Sequence, residues 1–224
     1  MKPTAHYQLD SIQIGKPRSY SQTNPRSNKI EKWLTSFNKT PIKRWVNVTV
    51  NGIAGDEQAD KENHGGLDKA VLMYSSDHFE YWQKQLGVPA IAAGAFGENL
   101  TVSGLDESKV CLGDRFSIND VLLEVSQPRK PCWKLARHWH LSELPKLVVK
   151  TGYCGWYCRV IQKGRFKPET TIVRATNPNP EWSIRRAHQV FHQSPVNTDE
   201  LDELLSLAVL SKSCKTSTKR KDDI

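Results

Sequence analysis

Two hundred and twenty-four residues, with 32 basic and 24 acidic side chains, suit one large domain or one domain with a small appendage, and exclude a multi-module enzyme. The 38% apolar fraction and seven tryptophans can bury a core, which excludes a compositionally disordered chain. No run approaches the ~20 apolar residues that span a bilayer, and the start MKPTAHYQLD has no signal-peptide stretch, so no membrane and a cytoplasmic location are expected.

The net charge of +8 is partly a tail, where Lys212, Lys215, Lys219, Arg220 and Lys221 outweigh Asp222 and Asp223. The moderately basic remainder suits an anionic ligand such as a phosphate, non-specific nucleic-acid contact, or simply solubility. Five cysteines, an odd number, argue against a disulfide framework. Cys154 and Cys158 have C-x3-C spacing, but no second pair completes a zinc ribbon, and small buried hydrophobes are the plainer reading.

In chain order, Val46, Val48 and Val50 alternate as one face of a half-buried strand, and AVLMYS at 70–75 supplies a second. Asp77 is expected to cap a helix towards Leu86, with Glu80 reaching back, Phe79, Trp82 and Leu86 on one face, and Gly87 as its stop. Val121, Leu123 and Val125 alternate after Asn119-Asp120, a pair that tolerates positive φ, so 115–125 reads as a hairpin. Ser142 precedes a second amphipathic helix through Leu144, Leu147 and Val148, stopped at Gly152. Segments 155–161 and 170–175 complete a mixed α/β but mostly β pattern that suggests a sandwich or barrel with peripheral helices.

Asn-Pro dipeptides within 175–182 mark a boundary, so 1–175 is expected to be the main domain and 176–224 a short C-terminal helical extension with a basic tail. Ser183 should cap one helix presenting Ile184, Ala187, His188 and Phe191, and Thr198 another presenting Leu201, Leu204, Leu205 and Ala208. So short a helical pair has no core of its own and must dock on the main domain, on a further helix or on a partner chain, which leaves room for a homodimer. The terminal CKTSTKRKDDI reads as a frayed end.

Three segments carry candidate chemistry. Residues 55–71 place Asp56, His64, Gly65, Gly66, Asp68 and Lys69 in a turn-rich stretch feeding a strand, where glycines permit close backbone approach and Lys69 can meet an anion. Without the P-loop spacing, the same glycines also read as a tight turn and His64 as a surface histidine. In FGENLTVSG, Glu98 and Asn99 stand at a strand entrance, where an amide can bond a heterocycle edge or simply cap its own turn. In SQPRKPCWKL, two prolines bracket Arg129 and Lys130 and deliver Cys132 just before a helix. Neighbouring cations and a helix start favour the thiolate, the form that ligates soft metals or carries sulfur, although a structural cysteine beside a surface ion pair has the same letters.

HGGLDKAV, FGENLTVSGL, GDRF and SQPRKPCWKL, in that order and spacing, resemble the motifs of MOSC-domain proteins, and the chain is similar to their YiiM-like branch from about Tyr7 to Ser211. The resemblance implies a MOSC-type β-barrel binding the molybdenum cofactor (molybdopterin), with Cys132 as the protein ligand to the metal. It also implies reduction of N-hydroxylated small molecules, including hydroxylaminopurine-type base analogues and amidoximes. By the same resemblance His64, Gly65, Gly66, Lys69, Glu98, Asn99 and Arg129 lie in segments around the cofactor. The N–O cleavage needs a nearby acid, and His64 or Asp56 is the expected proton donor on chemical grounds alone. No G-x-G-x-x-G fingerprint occurs in the sequence, so electrons are expected from a separate flavoprotein or other reductase. Two departures are a helical tail shorter than is usual in this branch and too few residues for the pyridoxal-phosphate domain of cofactor sulfurases.

Two rival readings use the same residues. Cys132 as a persulfide would make the chain a sulfur carrier. A non-enzymatic binding module would use the C-terminal helices and basic tail, but 183–193 holds only Arg185 and Arg186 as basic groups, which disfavours nucleic acid.

Overall fold

The computed structural model describes residues 7–23 and 28–216. The first half holds β1 (Tyr7–Ile14), β2 (Arg18–Thr23), β3 (Ile30–Thr35), β4 (Thr40–Ile42), β5 (Val46–Thr49), β6 (Gly52–Ile53), α1 (Lys61–His64), β7 (Val71–Ser75), α2 (Phe79–Leu86) and β8 (Leu100–Ser103). The second holds β9 (Arg115–Ile118), β10 (Val121–Pro128), α3 (Trp133–Trp139), α4 (Leu144–Thr151), β11 (Trp156–Gln162), β12 (Gly164–Phe166), β13 (Thr170–Thr176), α5 (Ile184–His192) and α6 (Thr198–Ser206).

Seven strands close a barrel in the order β13-β9-β10-β11-β7-β8-β1, and β1 returns to β13 with Tyr7 opposite Ile172. Closure removes the unpaired edges of an open sheet. Within the ring only β7 and β8 run parallel, Met73 opposite Leu100, and all five residues of β7 are buried, as a strand covered on both faces requires. Leu9, Met73, Leu100, Phe116, Leu123 and Trp156 are fully buried and belong to one continuous core.

The expected strands form, except that β5 ends at Thr49 and leaves Val50 in an exposed turn rather than on the inward face of Val46 and Val48; the hairpin turns at Asn119, whose φ of 52° carries Ile118 directly opposite Val121. The strands of the first 42 residues are not foreseen by alternation, for a local reason. A bulge between Leu9 and Ser11 breaks the two-residue period of β1, so its fully buried Leu9 and Ile12 stand three apart. The β2–β3 hairpin pairs Arg18 with Thr35 through Thr23 with Ile30, and Thr35 alone is buried while Ile30 and Leu34 are exposed, so its apolar residues follow no inward-facing period.

Helix starts differ from expectation by a few residues. Ser75, not Asp77, caps a 3-10 turn by accepting from the Asp77 N–H, α2 follows it, and Glu80 pairs with exposed Lys84 at 2.6 Å instead of reaching back. Ser142 does not cap α4, which starts after Glu143 with Pro145 in its first turn. Ser183 caps α5 through the Arg186 N–H as expected, whereas Asn197, one residue before Thr198, caps α6. The extension docks on the barrel: the Ile184 and Arg185 N–H groups donate to Val110 and Glu107 carbonyls, and α5 packs on β10.

Order also continues past the expected fraying point. Residues 212–216 are helical and Cys214 is 1% exposed, because Ser211 donates from its N–H to the Ser126 carbonyl and accepts the Cys214 N–H on its hydroxyl. Lys219, Arg220, Lys221, Asp222 and Asp223 lie outside the described residues. Among the described residues no helix is long and apolar enough to cross a membrane.

Candidate functional site

A cleft opens where the β3–β4 loop, residues 56–64, the 96–99 turn and the start of α3 converge, a concave place where several polar side chains meet, as at ligand sites. Five basic side chains (Lys39, Lys69, Arg129, Lys130, Lys134) line it against three acidic ones (Asp56, Glu57, Asp60), so its field favours an anion.

Cys132 stands at the N-cap of α3 in extended conformation, its thiol half-buried in the cleft. Burial alone would push the thiol pKa up. A hydrogen bond from His64, the Arg129 guanidinium, the His64 charge and the Lys134 backbone N–H together outweigh burial and bring it down to about 7. His64 is itself held by Asp60, with Nδ1 3.2 Å from Oδ2, so an Asp60–His64–Cys132 chain of contacts crosses the cleft. By contrast burial pushes the Cys111, Cys154, Cys158 and Cys214 thiols up. Cys154 and Cys158 are fully buried, with Cys158 Sγ 3.5 Å from Met73 Sδ.

Arg129 is 4% exposed; one Nη donates to the Phe96 carbonyl at 3.1 Å, while Nη1 is buried with no protein partner. Ser36 Oγ, across the cleft, is also buried without one. Such atoms occur away from the cleft too, as at Trp156 Nε1, but these two border a space that a ligand can fill, and a buried donor without a partner is costly. Lys69 has its pKa lowered, first by burial and further by Lys130, with Cys214, Asp60 and Asp68 opposing.

Not every residue expected near the cofactor lines the cleft. Glu98 is fully enclosed; its carboxylate accepts from the Gly94 N–H at 2.6 Å, the Phe96 N–H at 3.0 Å and the Thr101 hydroxyl at 2.9 Å, and burial raises its pKa. It shapes the turn beneath the cleft. Asn99 borders the cleft, but its amide is committed to the backbone: Oδ1 accepts from Leu72 N–H at 3.1 Å and Nδ2 donates to the Gln13 carbonyl at 3.3 Å, tying β7 to β1. Gly65 and Gly66 do not border it either. Gly66 has φ +96°, and a Cβ on Gly65 would fall 2.7 Å from the Lys61 carbonyl oxygen, so the pair turns the chain from His64 to Lys69. Asp56 lines the cleft with its oxygens engaged as acceptors from Lys39, the Gly15 N–H at 2.8 Å and Gln58 at 3.4 Å.

The structure also brings in residues that the sequence reading passes over. Tyr157 points from β11 into the cleft; burial, reinforced by Cys132 and opposed by Arg129, pushes its hydroxyl up to about 12, so it stays a donor. Strand alternation placed it opposite the buried Trp156 and Cys158, which was the available signal. Ser36 and Phe37 come from the loop after the unread β3. Phe37 lies against Gly97, whose φ of +73° and missing Cβ, which would sit 2.8 Å from the ring, permit the contact.

Residues 60–175 match the MOSC domain. The chain belongs to the MOSC domain family. That family is associated with binding the molybdenum cofactor. Full-length relatives agree: the uncharacterised protein YflK of Bacillus subtilis is 37% identical over 97% of this chain and 95% of its own. The crystal structure of YiiM from Geobacillus stearothermophilus superposes with a TM-score of 0.78 at 34% identity, covering 96% of this chain and 98% of that one. A Gibberella moniliformis protein named a reductase is 35% identical over 72% of this chain, which spans 29% of that longer protein. This MOSC protein is therefore YiiM-like, a closed β-barrel with the cleft at its rim.

Proposed function

We propose that this MOSC protein holds the molybdenum cofactor in the cleft and reduces N-hydroxylated compounds, among them hydroxylaminopurine-type bases and amidoximes. The observation that carries the reading is the thiol of Cys132, poised near neutrality beside a buried guanidinium edge that has no protein partner. The donor set fits such a group: a thiolate suits a soft metal, and Arg129, Ser36 and the nearby Lys69 and Lys130 suit the phosphate of its pterin.

The reaction balances as R–NHOH + 2 electrons + 2 protons giving R–NH2 + H2O. When bound, the cofactor supplies the two-electron chemistry. The chain binds, orients and protonates. His64 is the ring placed to hold a proton at the cleft, because Asp60 fixes its Nδ1 while Asp56 has its oxygens taken up as acceptors. The Tyr157 hydroxyl, remaining protonated, donates a hydrogen bond there. Electrons come from a separate flavoprotein or other reductase, and the reductase name of the longer Gibberella relative supports redox work for this domain.

The test is elemental. Purified protein should contain stoichiometric molybdenum and pterin, and Cys132→Ser should lose both metal ligation and turnover while its circular dichroism and melting temperature persist. A Cys132→Ser protein that keeps its molybdenum and its activity removes the ligand role. The same poised thiol also suits a persulfide carrier. In that case metal-free protein incubated with a sulfur donor gains the mass of one sulfur atom on Cys132, and the metal assay fails.

A further inference from the structure

We propose that the C-terminal extension is a working part of the cleft, holding the cation pair Lys69 and Lys130 from behind so that anion affinity is set by residues beyond the barrel. Arg159 and Phe191 are the positioning residues. The inference rests on the reading of the cleft as a phosphate-holding site and identifies what governs that site.

The extension reaches each lysine by a separate contact. On the Lys69 side, Arg159 shares a face of β11 with Tyr157. Its guanidinium donates from Nε to Asp68 Oδ1 at 2.9 Å, from Nη1 to Glu124 Oε1 at 2.9 Å and from Nη2 to the Val209 carbonyl at 2.8 Å. One planar fork thus fixes the residue before Lys69, strand β10 and the extension in a single arrangement. Asp68 is gripped a second time: the Ser126 hydroxyl lies 2.5 Å from its carbonyl oxygen, and the Ser126 carbonyl accepts the Ser211 N–H at 3.1 Å. The backbone of Lys69 is therefore placed by Asp68, and Asp68 is placed in part by residues 209 and 211.

On the Lys130 side, the ammonium lies 5.5 Å from the centre of the Phe191 ring on α5, within the range of cation–π attraction. Phe191 packs against the core, which fixes the ring. Cys214 joins the two sides. It is 1% exposed, and while burial pushes its thiol up, Lys130 and Lys69 both oppose, so both ammonium groups act on one side chain of the extension. The two lysines also line one cleft against their mutual repulsion, which lowers the Lys69 pKa beyond the effect of burial. Like charges held together in advance are what an anion needs, because it then binds without paying to assemble them. Lys69, Lys130 and Arg159 lie within residues 60–175, the segment that matches the MOSC domain, whereas Phe191, Val209, Ser211 and Cys214 lie beyond it. The domain carries the cations and the extension orients them.

The experiment measures the concentration of inorganic phosphate that half-protects Cys132 from iodoacetamide in metal-free, full-length protein, a signal confined to the cleft. Wild type is compared with Arg159→Met, Phe191→Leu and Arg186→Met. The last breaks a similar bridge, Arg186 Nε to Glu200 Oε1 at 3.0 Å, that joins α5 to α6 away from the cleft lining. The half-protecting concentration should rise at least about threefold in Arg159→Met and Phe191→Leu and stay within about twofold of wild type in Arg186→Met. Arg159→Lys, which can keep the pair with Asp68 but not the fork, should fall between wild type and Arg159→Met, and it carries the comparison if Arg159→Met does not fold. Unchanged protection in either of the first two variants, or an equal loss in Arg186→Met, overturns the inference. Wild-type protein that phosphate does not protect overturns it too, whatever its molybdenum content. Protection that depends on Arg159 in a protein without molybdenum supports it, and there the reductase reading fails alone.

Discussion

Two histidine–carboxylate pairs sit at opposite extremes of the same barrel. His78 and Glu107 meet at 2.6 Å with side chains 7% and 0% exposed, and the second Glu107 oxygen accepts the Gly155 N–H at 2.7 Å while the His78 ring stacks on Tyr153 at 3.8 Å. His64 and Asp60 meet at 3.2 Å, each about a third exposed, and the imidazole also reaches the Cys132 thiol. The first pair is saturated and sealed into the packing. The second leaves capacity facing a cavity, next to a guanidinium edge and a hydroxyl without protein partners. Where a fold leaves polar capacity unspent beside open space, chemistry can occur; where capacity is spent, the same residue types only hold the chain together.

The largest expected effect breaks the sealed pair. Glu107→Ala strands the His78 ring and the Gly155 N–H in the core, and should cost about 3–5 kcal/mol in urea unfolding. A loss under about 1 kcal/mol, the range of exposed pairs, would erase the contrast. Next comes the cleft floor. Gly97→Ala puts a Cβ into the Phe37 ring at a positive φ, and should cost about 1–3 kcal/mol. If the Phe37 contact shapes the cleft, that variant should also lose molybdenum; undiminished stability and metal content would show that the ring moves freely.

This split between sealed and open regions explains what was legible in advance. β5 declared itself because its burial alternates residue by residue, and β10 because Val121, Leu123 and Val125 all face the core. β1 did not, because its bulge shifts Ile12 out of phase with Leu9. The β2–β3 hairpin hid because Thr35 is its one buried residue and its Ile30 and Leu34 are exposed. In the site, Cys132, Arg129, Lys69 and His64 were readable since prolines, glycines and neighbouring charge act along the chain. Glu98 and Asn99 were located but not oriented: the turn aims one carboxylate inward and ties one amide to backbone. Ser36, Phe37 and Tyr157 required topology, because they reach the cleft from segments that only the closed barrel brings together.

Thiol reactivity sharpens the comparison with a smaller effect. In metal-free protein the rate of Cys132 alkylation should rise as the thiolate forms, with a midpoint near pH 7. His64→Ala removes a group that favours the thiolate, so the midpoint should move up. Burial raises the Cys154 and Cys158 thiols, and they should label only on unfolding. Equal labelling of all three in folded protein would mean that the interior is open to reagent. The imidazole of His188 gives the corresponding sign for stability. Burial lowers its pKa, with the Val149 carbonyl and Glu107 opposing, so the unfolded chain takes up the proton first. Stability should therefore fall as pH drops below about 6.5, and His188→Gln should flatten that slope.

The smallest expected effect is on the open pair. Asp60→Asn keeps the size of the side chain and removes a charge that is about a third exposed, where solvent already screens the ion pair. Its cost in urea unfolding should be under about 1 kcal/mol, well below that of Glu107→Ala. The consequence should instead appear at the thiol. Without the Asp60 carboxylate to fix Nδ1, His64 is less often aligned with Cys132, and the alkylation midpoint should move upward in the direction of His64→Ala but by less. Loss of stability comparable to Glu107→Ala, with an unmoved midpoint, would make Asp60 a structural residue and leave His64 to orient itself.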